Sequence, residues 1–289
     1  MPKERIAGIS FSDDTLQAVV LEMRDGTVEL RYIEEFVNKS RLDLWFLDAM
    51  FGIKKRIVRK ISSVSIALDN ASAFVHSFPL DSSLTQSEQK EHLEWELSSY
   101  IHDFKPKEYI SDLHILQTRE REQVSEILAV TAKRSFIYNI QQTLLEHKIA
   151  LHVAEINHFA AQAALLLSNP EVKTRMIALA SVTRARWDVG ILNNGEITNY
   201  RYSLVSSIED GARFLKELLR DSRVSELFIH GVAVTLELIE VLRSALDLKI
   251  IRLNPFRQLI IPSSFHEFDK FIGQEHRFAA CVGCALMKL

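Results

Sequence analysis

GISFSDDTLQAVVLE, residues Gly8–Glu22, reads as a strand, a tight polar turn and a second strand. Ile, Phe, Leu and Val fill both flanks, and Ser12-Asp13-Asp14-Thr15 punctuates them. Openings of this kind wrap a nucleotide phosphate when the turn holds a glycine, for positive φ and close backbone approach, and a basic side chain follows. This turn has neither. The whole chain is short of such places, with 9 glycines in 289 residues, against an average of about 7%.

Working outward, RIAGISF, LQAVVLEM and VELRYIEEF alternate like a meander, with a hairpin turn expected at Asp25-Gly26. RLDLWFLDAMFGIKKRIVRK (residues 41–60) has the length and spacing of a helix. SSVSIAL and SAFVHSFPL read as strands, the second ended by Pro79. The next segment starts on Thr85 and Glu88, the spacing of a capping box. Its apolar stripe is Leu93, Leu97, Tyr100, Ile101 and Phe104, with Trp95 almost opposite. Strands YISDLHILQ and SEILAVTA lead to a helix with Phe136, Ile140 and Leu144 inward. Strand ALHVAEI and a helix capped by Asn157 run to a break at Pro170. Then the pattern begins again. RMIALASV, RWDVGILN and EITNYRYSL form a second meander, with Asn194-Gly195 as its hairpin turn, followed by helix–strand units and a final helix, RFAACVGCALMKL. A three-strand meander that switches to helix–strand units, twice, implies a duplicated α/β architecture.

Apolar content of 47% and charged content of 25% suit a globular chain, and a net charge of −3 gives no general attraction to nucleic acid or anionic membrane. Two cysteines, Cys281 and Cys284, are too few for a disulfide scaffold and suggest a reducing compartment. The opening MPKERIAGIS has no apolar run behind its charges, so no signal peptide is expected. No window reaches the ~18 apolar residues of a membrane span. The expected location is the cytoplasm.

The order of blocks resembles the PilM family, cytoplasmic actin-like components of the type IV pilus assembly platform within the actin-like ATPase superfamily. The resemblance is carried by the opening stretch, by FVHSFPLD followed by SEQKEHLEWELSSYI, by EILAVTAKRSFIYNIQQTLLEHKIALHVAEINHFAAQAAL, by KIIRLNPF with Asn254-Pro255-Phe256, and by FAACVGCAL. It implies an α/β, actin-like (ribonuclease H-like) duplicated fold, each half a mixed sheet flanked by helices. The first half would span 1–170, with a small α+β subdomain inserted at about 71–149. The second would span 171–289, its final helix, 277–289, closing back on the first.

The chemistry departs from the family. Its first loop reads Asp-Ile-Gly-Ser with a Lys further on, where this chain has Ser10, Phe11, Ser12, Asp13 and Gln17. Its second loop, Asp-Ile-Gly, falls on Ala180-Ser181-Val182, and of its adenosine-binding Gly-Gly pair only Gly231 remains. Losing glycines and metal-binding carboxylates at three places leaves little to hold a nucleotide–Mg complex. The expectation is a non-catalytic scaffold without a cofactor or metal. It would sit at the inner face of the cell membrane and bind the cytoplasmic tail of a bitopic inner-membrane assembly protein, and also itself. The alternative is an ATP–Mg-binding ATPase with a divergent site in pilus, type II secretion or cell-division machinery.

Other features have plainer readings. Cys281-Val-Gly-Cys284 lies among small residues, where cysteine packs as a small hydrophobe. The ten histidines show no i, i+4 ligand pair. Asp188 has no neighbouring carboxylate to make a catalytic pair, and a turn or solvent-facing position is expected. The basic run Lys54, Lys55, Arg56, Arg59 and Lys60 reads as a solvated helix end, or a contact for an acidic partner or membrane surface. Trp95, beside Glu91 and His92 on a polar helix face, is the candidate anchor for the partner. In the family, a short peptide from a bitopic membrane protein binds near the inserted subdomain.

Overall fold

The computed structural model describes residues 4–24, 26–37, 61, 63–119 and 123–287. The helix expected at 41–60 and its basic run lie outside these residues.

β1 (Glu4–Ser12), β2 (Thr15–Arg24) and β3 (Thr27–Val37) form the opening antiparallel meander, and β4 (Ser63–Leu68) joins β1 in parallel. Next come β5 (Ala73–Asp81), α1 (Gln86–Tyr100), β6 (Tyr109–Arg119) and β7 (Val124–Lys133), then α2 (Arg134–Glu146), β8 (Ala150–Ile156) and α3 (Asn157–Ser168). The pattern restarts with β9 (Met176–Val182), β10 (Arg186–Asn193), β11 (Glu196–Leu204), α4 (Ile208–Leu219), β12 (Glu226–His230), α5 (Leu236–Ala245) and β13 (Lys249–Arg252), and α6 (Ala279–Leu286) closes the chain. The sheet orders β3-β2-β1-β4-β8 and β11-β10-β9-β12-β13 are the same sequence of roles used twice. Asn194 and Gly195 both take positive φ, 55° and 86°, as a two-residue turn between twisted strands requires.

Burial runs almost unbroken along β1 and β2 because both faces of the sheet are covered. Alternate residues Ala7, Ile9 and Phe11 pack with Ile140 and Leu144 of α2, while Ile6, Val19 and Leu21 face Cys281, Val282 and Ala285 of α6. The second sheet repeats this, with Ala178, Ala180 and Val182 under α4 and α5, and Ile177 and Leu179 against Ala161 and Leu165 of α3. Each half's last helix therefore covers the other half's sheet. The two helices also touch each other so closely that a Cβ on Gly283 would lie 1.7 Å from the Ala160 carbonyl oxygen.

The small sheet, ordered β5-β7-β6, carries α1 on one face through Phe78, Leu80, Ile127, Leu93 and Leu97. Its other face, with Val75, Leu116 and Leu128, leans on Phe159 of α3 and on Ile197 and Tyr200 of β11. The capping box is formed, with the Thr85 backbone N–H donating to Glu88 at 2.8 Å. Two local readings need correction. Pro79 does not end its strand; it sits inside β5, an edge strand, where a missing N–H is tolerated. Asn157 does not cap α3. Its amide instead donates to the Phe11 carbonyl at 2.6 Å.

Candidate functional site

The β1–β2 and β9–β10 turns face each other across the gap between the halves, where the family resemblance puts the two phosphate loops. They hold each other. The backbone N–H of Arg184 donates to Asp13 Oδ2 at 3.1 Å, and its guanidinium reaches Asp14 Oδ2 at 3.2 Å. Asp13 is held at φ 50° while its own N–H donates to Asp69 Oδ2 at 3.0 Å. Desolvation between the turns, with Asp69 and Asp14 nearby, lifts the Asp13 carboxyl above its ordinary range despite the Arg184 N–H. Three aspartates and one arginine line this opening. The arginine is already paired with the aspartates of the opposite turn.

Behind the turns, the candidate positions are occupied by the protein's own bonds. Ser10 Oγ donates to Gln17 Oε1 at 3.0 Å, and the Gln17 amide donates to Thr15 Oγ1 at 2.7 Å and to Glu35 at 3.1 Å. The Ser12 carbonyl accepts from the Thr15 hydroxyl at 2.9 Å. Ala180 and Val182 are buried in β9. Gly231, at φ 116°, sits so close to β9 that a Cβ would lie 2.3 Å from the Val182 carbonyl oxygen, and its N–H donates to the His276 carbonyl at 3.2 Å. Both the close approach to β9 and the positive φ require a glycine there.

Deeper still lies a polar network that the sequence did not disclose. Asp188, expected in a turn or facing solvent, is wholly buried, because β10 is covered on both faces. It accepts from Arg186 Nη2 at 2.6 Å, from the Tyr200 hydroxyl at 2.5 Å and from the Asn70 amide at 2.9 Å. Asn70, from the first half, also accepts the His158 N–H at 3.1 Å. One asparagine thus ties α3 and β4 to the second half's sheet. Desolvation, then the neighbouring Asp188, pushes the Tyr200 hydroxyl well above its usual range. The Arg186 guanidinium lies 3.8 Å over the Tyr202 ring. Three buried histidines line the same interface. Burial, then Arg186, lowers His158 to about 3; burial, then Arg252, lowers His276 to about 4; and His230 is held well below its ordinary value by burial and the other two.

Among the described residues, no group of three or more His, Cys, Asp or Glu side chains is placed to hold a metal ion. Both cysteines are buried, and burial pushes the Cys284 thiol up to about 12, so they pack rather than react. No described helix is long and apolar enough to cross a membrane.

The small sheet offers a different kind of site. An open groove of about 1440 Å³ runs between α1, β6 and the start of α2. Leu93, Leu97, Phe104, Tyr109 and Leu113 give it an apolar floor, and Lys90, Glu94, Lys107 and Asp112 stand on its rim. Trp95 is 62% exposed on the far side of α1, with His92 at 5.7 Å and Glu91 exposed one turn earlier, so these three candidates cluster with one another but do not line the groove.

No curated protein matches the chain. Among solved structures, it is similar to a PilM–PilN type IV pilus biogenesis complex, at 15% identity and a TM-score of 0.81, with 98% of each chain covered. A Bacteroides thetaiotaomicron protein with an actin-like ATPase fold and unknown function matches at 16% identity and a TM-score of 0.56, over 87% of this chain and 91% of that one. Ethanolamine utilization protein EutJ from Carboxydothermus hydrogenoformans matches at 10% identity and 0.52, over 99% and 90%. These likenesses establish an actin-like fold. The family model described as type IV pilus assembly protein PilM matches residues 9–207, and the chain belongs to that family.

Proposed function

We propose that this chain is a non-catalytic actin-like scaffold at the cytoplasmic face of a type IV pilus assembly platform. In this reading it holds the cytoplasmic tail of a membrane-anchored partner on its small subdomain, and it associates with its own copies. The observation that carries the non-catalytic reading is the contact of Asp13 and Asp14 with Arg184: carboxylates stand where a phosphate would sit, and the nearby cation already answers them. The matched PilM–PilN complex motivates the membrane partner. The apolar-floored groove along α1 and β6 has the shape for an extended segment of it.

Two measurements test this. Calorimetric titration with ATP and Mg²⁺ should give no saturable heat, and low-micromolar, Mg²⁺-dependent binding would establish the divergent-ATPase alternative instead. Pull-down with the cytoplasmic tails of bitopic pilus assembly proteins should retain the native chain and lose Leu113→Asp. Failure to bind any such tail would remove the partner assignment.

A further inference from the structure

We infer that the outward face of α1, centred on Trp95 and Glu91, is a second docking surface, and that its occupant is a basic peptide segment. It goes beyond the groove, which lies on the other side of the same helix.

Trp95 lies two residues from both Leu93 and Leu97, which puts it opposite the buried stripe. Among the described residues it joins no buried core cluster. Its indole is 62% exposed and its ring neighbour is His92, at 5.7 Å and 48°. Ser98 and Ser99 turn their hydroxyls back onto the Trp95 carbonyl at 2.7 and 3.3 Å, so the helix around the indole carries only small side chains on that flank. The helix beneath is fixed by its capping box and by Leu93 and Leu97 in the small core, so the indole is presented on a rigid element.

The charge on α1 selects the occupant. The helix carries Glu88, Glu91, Glu94 and Glu96 against Lys90 alone. Glu94 has Lys90 at 3.9 Å, Glu96 has His76 and His92 at 3.9 and 3.8 Å, and Glu88 is engaged by the cap. Glu91 has no ion-pair partner among the described residues, and it stands one turn before Trp95 on the same face. A lysine or arginine stacked on the indole could pair with Glu91 at the same time. An acidic or phosphorylated segment would meet unfavourable charge throughout.

The test is fluorescence anisotropy of a labelled, arginine-rich peptide and its glutamate-rich counterpart against the full chain. The arginine-rich peptide should bind and the glutamate-rich one should not. Trp95→Ala should weaken binding about tenfold and Glu91→Gln severalfold, with far-UV circular dichroism and melting unchanged because neither side chain is buried. Leu113→Asp, in the groove, should leave this binding intact. Native-like affinity in Trp95→Ala, or equal binding of both peptides, would overturn the proposal. Loss in Leu113→Asp alone would place the peptide in the groove, which overturns this surface while leaving the scaffold reading standing.

Discussion

Acidification should destabilise this protein above the range where ordinary carboxylates titrate, because three neutral histidines are enclosed between the halves. His158, His230 and His276 are 0%, 2% and 4% exposed. Among the described residues, neither ring nitrogen of His158 has a hydrogen-bond partner, and neither does the Nε2 atom of His230 or His276. Their folded pKa values lie below the ordinary value, at about 3 for His158 and about 4 for His276. The sign follows directly. Above pH 6.5 both folded and unfolded chains hold neutral rings; below it the unfolded chain binds protons that the folded one refuses, so stability falls as pH falls toward the folded values. Each pH unit in that window costs about 1.4 kcal/mol per histidine, so lowering the pH to about 5 costs about 2 kcal/mol for each of His158 and His276, and His230 adds to the loss in the same direction. Glu155 opposes this. Burial, with Asp112 adding to it, raises its carboxyl to about 7, so folding favours its protonated form as the pH drops. The clean assay is therefore urea denaturation at about pH 7.5 and about pH 5 in a Glu155→Gln background, with and without His276→Gln. The background should lose several kcal/mol, and His276→Gln should reduce that loss by about 2 kcal/mol. A loss under about 1 kcal/mol, or one that His276→Gln leaves unchanged, would refute the reasoning.

Gly283→Ala should destabilise by about 3 kcal/mol or more, read by thermal melting, because the new methyl meets the Ala160 backbone carbonyl, which cannot swing aside like a side chain. Asp188→Asn should cost about 3–5 kcal/mol in urea denaturation, since it leaves Arg186 buried without its counter-charge. Arg184→Ala should cost no more than about 1 kcal/mol, because the pair with Asp14 is exposed to solvent. The same variant should still give no saturable heat with ATP and Mg²⁺, since it removes the opening's one cation and leaves Asp13, Asp14 and Asp69 in place.

The parts of this fold that follow local periodicity were legible in the sequence. The two meanders, the Asn194-Gly195 turn and the Thr85–Glu88 cap each depend on residues a few positions apart. Trp95 could be placed opposite Leu93 and Leu97 by helical spacing alone. What escaped depends on distant pairing. Asn70 and Asp188 are 118 positions apart, and Asp13 and Arg184 are 171. In the sequence Asp188 has no neighbouring carboxylate to pair with and reads as a turn or solvent-facing residue, since an aspartate is seldom fully buried. In β10 both faces are covered, and the charge is met by partners from β10, β11 and the segment after β4. Asn157 stood where a capping residue belongs, and tertiary packing drew its amide to Phe11 instead. The one hint in the sequence is that the second turn carries a basic residue, Arg184, where the first carries the acidic pair Asp13 and Asp14 that it meets.

These distant pairings bear on how the two halves of the proposed scaffold hold together. A ligand clamped between two domains stabilises the closed form only by its difference in affinity for the open and closed states. Here the closed form has other sources of stability. α3 and α6 each bury apolar residues against the opposite sheet, and the small sheet spans both halves through Phe159, Ile197 and Tyr200. Asn70 joins the halves inside, and Arg184 joins them at the mouth. The mouth contact is the most exposed of these, so the frame depends on it least. On the proposed scaffold reading, functional variants should therefore be sought on α1 and β6 rather than between the halves.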